Sequence, residues 1–106
     1  MPFIHINELK ERELVPGFRA RFAHGEHVTM GQIRIEAGAT LPQHAHPHEQ
    51  ISTLVKGRFE FTLGGETMVL KPGSVVVIPP NVPHSAKALT DCFVVDTFYP
   101  VREDYR

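Results

Sequence analysis

The chain has 106 residues, of which 42% are hydrophobic and 22% charged, so its composition predicts one ordinary globular domain over residues 1–106 and excludes a disordered or fibrous protein. Eleven basic residues against twelve acidic ones, with no basic run, argue against nucleic acid as a partner. The longest apolar stretch falls far short of the roughly 20 residues of a membrane helix, and the N-terminus lacks a signal-peptide pattern. We therefore expect a cytoplasmic protein without a membrane partner.

The sequence pattern of the N-terminal third predicts one short helix followed by strands. Residues 7–14 have the only helical pattern, with Asn7 as a plausible N-cap for one or two turns. Beyond them apolar and polar residues alternate with period two, which is typical of half-buried strands. The apolar members of this alternation are Phe18, Ala20, Phe22, Ile33 and Ile35.

The rest of the chain reads as short strands separated by turns. The run 50–56 ends at Gly57, and Gly64 and Gly65 mark a hairpin. Residues 75–78 form a continuous β-branched run, which we interpret as a central strand. With 85–89 and 92–99 the chain has about eight regularly spaced strands, which predicts an all-β barrel or sandwich. Cys92, the single cysteine, falls in the last strand and is expected to be a buried hydrophobe.

Histidines are numerous for this length, and their positions carry the functional signal. On one strand His44, His46 and Gln50 have the same parity, so one face can present three ligands to a metal ion. The isolated histidines are better explained as surface residues or as satisfied core residues, namely His5, His24 and His27.

At these residues the sequence resembles the cupin superfamily. Its first motif matches Gly38, five residues, His44-x-His46, three residues, Gln50, six residues and Gly57, where the family usually has glutamate in place of Gln50. Its second motif matches the segment from Gly73 to His84. The resemblance implies a jelly-roll barrel in which His44, His46, Gln50 and His84 hold one divalent metal ion.

Two departures from the second motif are compatible with this geometry. Asn81 replaces the glycine of the motif, and asparagine tolerates a left-handed turn conformation better than most residues. Ala88 replaces a trailing asparagine. Within the first motif, Glu49 has the wrong parity and spacing for a ligand. Gln50 is then either the fourth ligand or an uninvolved polar residue beside three histidines and water.

The ligand set leaves the identity of the metal open. Three imidazoles and a neutral amide suit nickel, zinc, iron, manganese or copper. None of these ligands carries a negative charge, so a bound ion should be a strong Lewis acid that attracts an anionic ligand, and a sugar acid fits this requirement.

A narrower resemblance is to the pectin degradation proteins, which linearise 4,5-unsaturated uronates to keto-uronates. The sequence HAHPHEQ and the segment 95–105, similar to that family's Asp-x-Phe-x-Pro-x-Arg-Glu-Asp ending, carry this resemblance. By position Asp96, Phe98 and Arg102 would be active-site residues, and His48 would lie behind the ligands at most. Alternatively Asp96 is part of a structural ion pair, Phe98 is core and the Arg102 tail is solvated.

The resemblance implies a mechanism in which the metal polarises substrate oxygens, Asp96 shuttles a proton, Phe98 walls the pocket and Arg102 forks onto the sugar carboxylate. Two rival functions remain open, namely a redox-active metal-dependent dioxygenase and a non-enzymatic small-molecule-binding module. The family and the small size of the barrel also imply a two-fold homodimer, for which the N-terminal segment is our candidate contact.

Overall fold

A computed structural model describes residues 3–106 as ten antiparallel strands with two single 3₁₀ turns, which confirms the predicted all-β jelly-roll class. Within these residues no helix has the length and apolar character needed to cross a membrane. The 3₁₀ turns are Ile6–Glu8 and Glu103–Tyr105. The strands are β1 Arg12–Val15, β2 Phe18–His24, β3 Thr29–Ile35, β4 Thr40–His44, β5 Glu49–Lys56, β6 Phe59–Leu63, β7 Glu66–Leu70, β8 Val75–Ile78, β9 His84–Ala88 and β10 Cys92–Tyr99.

The strands form two sheets whose inner faces meet in an apolar core. One sheet has six strands in the order β1-β2-β3-β10-β5-β8, and the other has four in the order β4-β9-β6-β7. The alternation seen in the sequence is confirmed, since every apolar member of the β2 and β3 pattern is buried. Cys92 is buried as expected. Other large core residues are Leu54, Phe59, Phe61, Ile78, Val94 and Phe98.

The pairing of β5 with β10 determines which residues meet in the barrel interior. In this antiparallel ladder Gln50 lies opposite Phe98, Ser52 opposite Asp96, and Leu54 opposite Val94. Side chains of one parity face inward on both strands, so these rungs line the interior in a fixed order. A one-residue slip would turn all of them to the outside.

The strand β8 lies at the edge of its sheet, so the prediction of a central strand is wrong. It pairs only with β5, and Val75 and Val77 point outward with 56% and 54% exposure. Only Ile78 in this strand is fully buried. A short β-branched run does not reveal the position of its strand, because β-branched side chains pack on the pleated surface of an edge strand as well as on that of a central one.

The N-terminal helix expected over residues 7–14 is also wrong in extent. Only the turn Ile6–Glu8 is helical, and His5 rather than Asn7 caps it, accepting a hydrogen bond from the Asn7 amide. Residues 12–15 form β1 and pair with β2. Gly17, with a φ of +85°, closes this hairpin, and Leu14 packs against the core, so strand pairing outweighs a weak local helix preference.

Gly57, the last residue of the first motif, is required sterically after β5. Its φ is +98°, and a Cβ at this position would lie 2.2 Å from the carbonyl oxygen of Asp91. No larger residue fits without moving the backbone of that loop. The glycine therefore keeps the end of β5, and with it the register of the inward-facing residues, in place.

Candidate metal centre and cavity

Three of the four predicted ligands come together at one end of the barrel. His44 ends β4 and lies opposite His84, the first residue of β9, while His46 lies in the loop before β5. The nitrogens that these rings can offer to a metal all lie within 4.8 Å of one another. His84 thus comes from another strand to lie beside His44 and His46.

Backbone carbonyls orient the three imidazole rings. Each ring bonds through Nδ1 to the carbonyl oxygen two residues away in the chain: His44 to Pro42 at 2.9 Å, His46 to His48 at 3.0 Å and His84 to Val82 at 2.9 Å. A carbonyl oxygen only accepts, so Nδ1 carries the hydrogen in every case. The Nε2 lone pairs of all three rings are left to face the common centre.

The Nε2 atoms have the environment that a cation requires. That of His84 is sealed from solvent and has no partner among the described residues, and that of His46 lies 2.9 Å from Oε1 of Gln50. Burial lowers the pKa of His46 and lowers that of His84 to about 4, so both rings are neutral at pH 7. Two acceptor atoms face each other favourably only across a cation. This donor set fits a divalent metal ion.

The structure distinguishes Gln50 from its neighbour Glu49. Gln50 is buried on the inner face of β5 with its amide oxygen toward the histidines, whereas Glu49 is exposed. The Gln50 Nε2 donates a hydrogen bond to Ser52 Oγ at 2.9 Å. Gln50, and not Glu49, therefore faces the histidines.

The loop before His84 has the backbone conformation expected from its sequence. Asn81 has a φ of +65°, in the left-handed region that the corresponding glycine of the motif would occupy. Its amide donates to the carbonyl oxygen of His46 at 2.8 Å. The loop thereby connects the segment that carries His84 to the segment that carries the other two histidines.

A cavity of about 330 Å³ opens beside the histidines and continues into the barrel. The polar part of its wall is made by the three histidines together with Gln50, Ser52 and Asp96. Phe98 and Arg102 also line the cavity, so all three residues suggested by the C-terminal resemblance reach it. Deeper in the barrel the wall is apolar and rich in phenylalanine, with Phe18, Phe22, Phe59 and Phe61.

Asp96 is a carboxylate in an environment that disfavours its charge. Its Oδ1 is sealed from solvent with no hydrogen-bond partner among the described residues, although the residue as a whole is only half-buried. Burial raises the pKa of Asp96 to about 6, and the Ser52 hydroxyl, the Gln50 amide and the positive charge of Arg102 oppose part of that rise. A carboxyl group that titrates near neutral pH is suited to proton transfer.

Arg102 is held by a partner that sequence reasoning missed. Its Nε and Nη2 donate to the two carboxylate oxygens of Asp104 at 3.0 and 2.8 Å. The guanidinium also lies over the rings of Phe98 and Tyr105, at 4.7 and 4.2 Å from the centroids. The guanidinium of Arg102, which was expected to bind a substrate carboxylate, therefore already donates two hydrogen bonds to the carboxylate of Asp104.

A second set of missed contacts holds the C-terminal segment against the barrel. His24 bonds through Nε2 to the carbonyl oxygen of Tyr105 at 3.1 Å and accepts at Nδ1 from the Thr29 hydroxyl at 2.9 Å. The same hydroxyl accepts from the Arg102 amide at 2.9 Å. His24 is a satisfied structural residue, as expected. Its distance from residue 105 along the chain left no local signal for this contact.

His48 contributes to the site through its backbone. Its carbonyl oxygen accepts from His46, while its ring packs edge-on against His46 and Phe98. Its Nδ1 is buried without a partner among the described residues. His48 therefore lies behind the ligands, in agreement with the sequence analysis.

Comparison with known proteins agrees with this geometry. The profile of the Cupin domain family matches residues 31–98. The fold is similar to that of KdgF from Halomonas sp., with a TM-score of 0.90 and 34% identity over 98% of this chain and 97% of that one. An uncharacterized protein of Streptomyces coelicolor is 30% identical over 94% of this chain and 97% of its own length. The H2HPP isomerase of Bacillus subtilis is 28% identical over 92% of this chain, which spans only 42% of that protein. The chain belongs to the cupin family.

Proposed function

We propose that the protein is a metal-dependent cupin enzyme that opens 4,5-unsaturated uronates and tautomerises them to linear keto-uronates. The observation that carries the proposal is Asp96, a carboxylate with a pKa of about 6 that faces the cavity beside the histidine cluster. Similarity to KdgF and to the pectin degradation proteins supports the substrate class. The chemistry is an isomerisation and needs no redox cofactor.

We further propose that His44, His46, His84 and Gln50 hold the metal. His46 Nε2 and Gln50 Oε1 lie 2.9 Å apart, and this short separation of two acceptor atoms supports Gln50 as a ligand beside the histidines. Nickel, zinc, iron, manganese and copper all accept such ligands. A bound ion would supply Lewis acidity to substrate oxygens, undiminished by any anionic ligand from the protein.

Asp96 would move the proton on which both halves of the isomerisation depend. As a carboxylate it accepts the proton of the anomeric hydroxyl, so that the carbonyl forms, the bond between the anomeric carbon and the ring oxygen breaks, and the former ring oxygen keeps the electron pair as an enolate. As a carboxylic acid it returns that proton to the alkene carbon of the enolate, which becomes the ketone. Both protonation states are accessible near neutral pH.

Phe98 and Arg102 would orient the substrate. Phe98 forms an apolar wall beside the histidines, against which a sugar ring can lie. Asp104 engages Nε and Nη2 of Arg102, which leaves Nη1 for the substrate carboxylate. We infer that Asp104 fixes the guanidinium and that Arg102 binds the sugar acid through this one nitrogen.

The test is loss of the ultraviolet absorbance of the ring double bond when metal-loaded protein meets an unsaturated uronate monomer. We expect acceleration over the spontaneous rate in buffer, and a loss of roughly 10²-fold or more in Asp96→Asn with the metal still bound. Glu66→Gln, an acid-to-amide change on an exposed hairpin residue, should behave like wild type. No acceleration with any of the five metals would refute this function.

The phenylalanine-rich inner wall favours one second candidate, a non-enzymatic binding cupin whose ligand has an apolar part. In that case unsaturated uronates would not turn over with any metal, and Asp96→Asn would leave ligand affinity unchanged. Small apolar carboxylic acids would instead raise the unfolding temperature of the metal-loaded protein. The same protein preparations therefore separate the two functions.

We also propose that the chain forms a two-fold homodimer. Phe3 and Ile4 of the N-terminal segment are 83% and 55% exposed, so these two adjacent apolar residues offer surface that a second copy can cover. Burying them against a second copy would remove that surface from water. Sizing or solution scattering that gives a mass near 11.9 kDa at working concentration would exclude the dimer.

A further inference from the structure

Ser52 lies between the proposed metal ligand and the proposed proton carrier. It is on the inner face of β5, only 4% exposed, and lines the cavity. Gln50 is two residues away on the same face, and Asp96 is directly opposite in the β5 and β10 ladder. Nothing in the sequence motifs assigns it a role.

The hydrogen bond between Gln50 and Ser52 determines which way the amide points. Nε2 of Gln50 donates to Ser52 Oγ at 2.9 Å, and Oε1 consequently faces the histidines. The two ends of an amide have nearly the same shape, so packing alone does not choose between them. The serine oxygen makes the choice, because it accepts the hydrogen that only the nitrogen end can donate.

We propose that Ser52 is a positioning residue that turns the Gln50 oxygen toward the metal and gives its own hydroxyl hydrogen to Asp96. The inference rests on the proposed function in one respect, the ligation of the metal by Gln50. It concerns the same site and names the residue that couples its two parts.

The direction of hydrogen bonding supports the second half of this role. A serine hydroxyl has one hydrogen and two lone pairs. The hydrogen bond from Gln50 Nε2 occupies one lone pair of Ser52 Oγ, so the hydroxyl hydrogen of Ser52 remains available. Asp96 Oδ1, on the facing residue, is sealed from solvent and lacks a partner among the described residues. Rotation about the Cβ–Oγ bond can bring the hydroxyl hydrogen to this carboxylate.

These hydrogen bonds give a physical reason for glutamine at position 50, where the cupin motif usually has glutamate. A carboxylate at position 50 has no hydrogen to donate, so Ser52 would have to give its only hydrogen to that group. Asp96 would then lose both neighbouring donors, the Ser52 hydroxyl and the Gln50 amide. Gln50 and Ser52 thus form a pair in which the amide allows the hydroxyl to serve the opposite strand.

The test measures zinc affinity by competition with a chelator and does not depend on any substrate. We expect Ser52→Ala to weaken zinc binding by about 10- to 100-fold, the usual effect of removing a partner that orients a ligand. Ser52→Cys, of similar shape but with a weak hydrogen-bonding group, should also lose affinity. Ser52→Thr keeps the hydroxyl and should stay within about threefold of wild type. Thr53→Ala, the neighbour of opposite parity, is the matched control and should bind as wild type.

A double-mutant cycle shows whether Ser52 acts through Gln50. In a Gln50→Ala background, Ser52→Ala should have no further effect on zinc affinity. In the metal-free protein, nuclear magnetic resonance should find the Gln50 side-chain amide hydrogens exchanging at least tenfold faster in Ser52→Ala than in wild type.

Wild-type affinity in Ser52→Ala, or an equal loss with and without Gln50, would overturn the positioning role. Unchanged zinc affinity in Gln50→Ala would overturn both the proposed ligation and this inference. Absence of uronate turnover, with the zinc results as expected, would refute only the proposed reaction and would leave the role of Ser52 supported.

Discussion

The interior of the six-stranded sheet has two halves of opposite character. On β5 the inward residues change from Gln50 and Ser52 to Leu54, and on β10 they change from Asp96 to Val94. Both halves come from the same inward-facing positions of the two strands. The polar half ends at the pair of Ser52 and Asp96, and the apolar half begins at the next inward pair, Leu54 and Val94. Backbone geometry therefore decides only that a side chain faces inward, while its chemistry decides between stabilising the barrel and forming a site.

Three of the four sealed side-chain atoms that lack a partner among the described residues lie around the polar half, and the fourth is Arg21 Nε on β2. Among the described residues, the sealed side-chain atoms without a hydrogen bond include His84 Nε2, Asp96 Oδ1 and His48 Nδ1, all near the cavity. Leaving such groups unpaired costs stability, typically about 1 to 3 kcal/mol each. The metal and the substrate proposed above would supply the missing partners at His84 and Asp96.

The largest expected effect is the loss of zinc affinity when one of the proposed metal ligands in the polar half is removed. We expect His84→Ala to weaken zinc binding by more than about 100-fold and to abolish turnover, because it removes a direct ligand and not merely the group that orients one. Metal content after dialysis is the measurement. His27→Ala removes an exposed histidine and serves as the control. Full metal occupancy in His84→Ala would show that the centre has been assigned to the wrong residues.

Truncation in the apolar half should affect stability instead. Leu54 is 1% exposed, so Leu54→Ala should lower the free energy of unfolding by about 2 to 5 kcal/mol. The folded fraction should still bind zinc as wild type does. Chemical denaturation with Val55→Ala, which changes a 50% exposed neighbour, provides the comparison. If the free energy of zinc binding fell by more than the free energy of unfolding, the apolar half would contribute directly to the metal site, and the two halves would not be energetically separate.

Stability of the metal-free protein should depend on pH through Asp96. Its pKa in the folded chain is about 6 against an ordinary 3.8, so the unfolded chain ionises first and stability falls as pH rises from about 4 to 6. Asp96→Asn removes this loss, which amounts to about 3 kcal/mol above pH 6. The mutant should therefore unfold at a higher temperature than wild type at pH 7.5 and at nearly the same temperature at pH 4. An equal difference at both pH values would contradict the buried carboxylate.

The smallest effect is expected at the rim of the cavity. Arg102→Lys keeps a positive charge but loses both the planar stack on Phe98 and the paired bonds to Asp104. We expect KM for the uronate to rise about tenfold with kcat within about threefold. Arg106→Lys changes an exposed arginine in the same segment and is the control. A fall in kcat at constant KM would place Arg102 in the proton transfer instead.

Local patterns were sufficient to predict the inner faces and the metal cluster. Period-two alternation identified the buried residues of β2 and β3, and parity with motif spacing selected Gln50 over Glu49. The spacing of the two motifs also grouped His84 with His44 and His46, about forty positions earlier. Alternation relates only residues within one strand and could not have made this connection. These features are determined by positions within one strand or one motif, and so the sequence contains them.

What the sequence did not reveal depends on contacts between distant segments. The edge position of β8 follows from the order of strands in the sheet, and the strand at residues 12–15 follows from a hairpin that outweighs helix preference. The alternative of a solvated Arg102 tail could not be rejected from the sequence, because the burial of Arg102 depends on contacts of the C-terminal segment with Thr29 and His24, far away along the chain. The position of Ser52 opposite Asp96 requires the register of β5 on β10.

The hydrogen bonds that the three histidine Nδ1 atoms donate to backbone carbonyl oxygens have a consequence for metal uptake. The backbone has already chosen the tautomer of each ring, and burial keeps the pKa of His46 and His84 below the ordinary 6.5. An arriving ion therefore finds lone pairs ready and has few protons to displace from these two rings. Binding of the proposed metal should therefore release little acid from His46 and His84 at neutral pH.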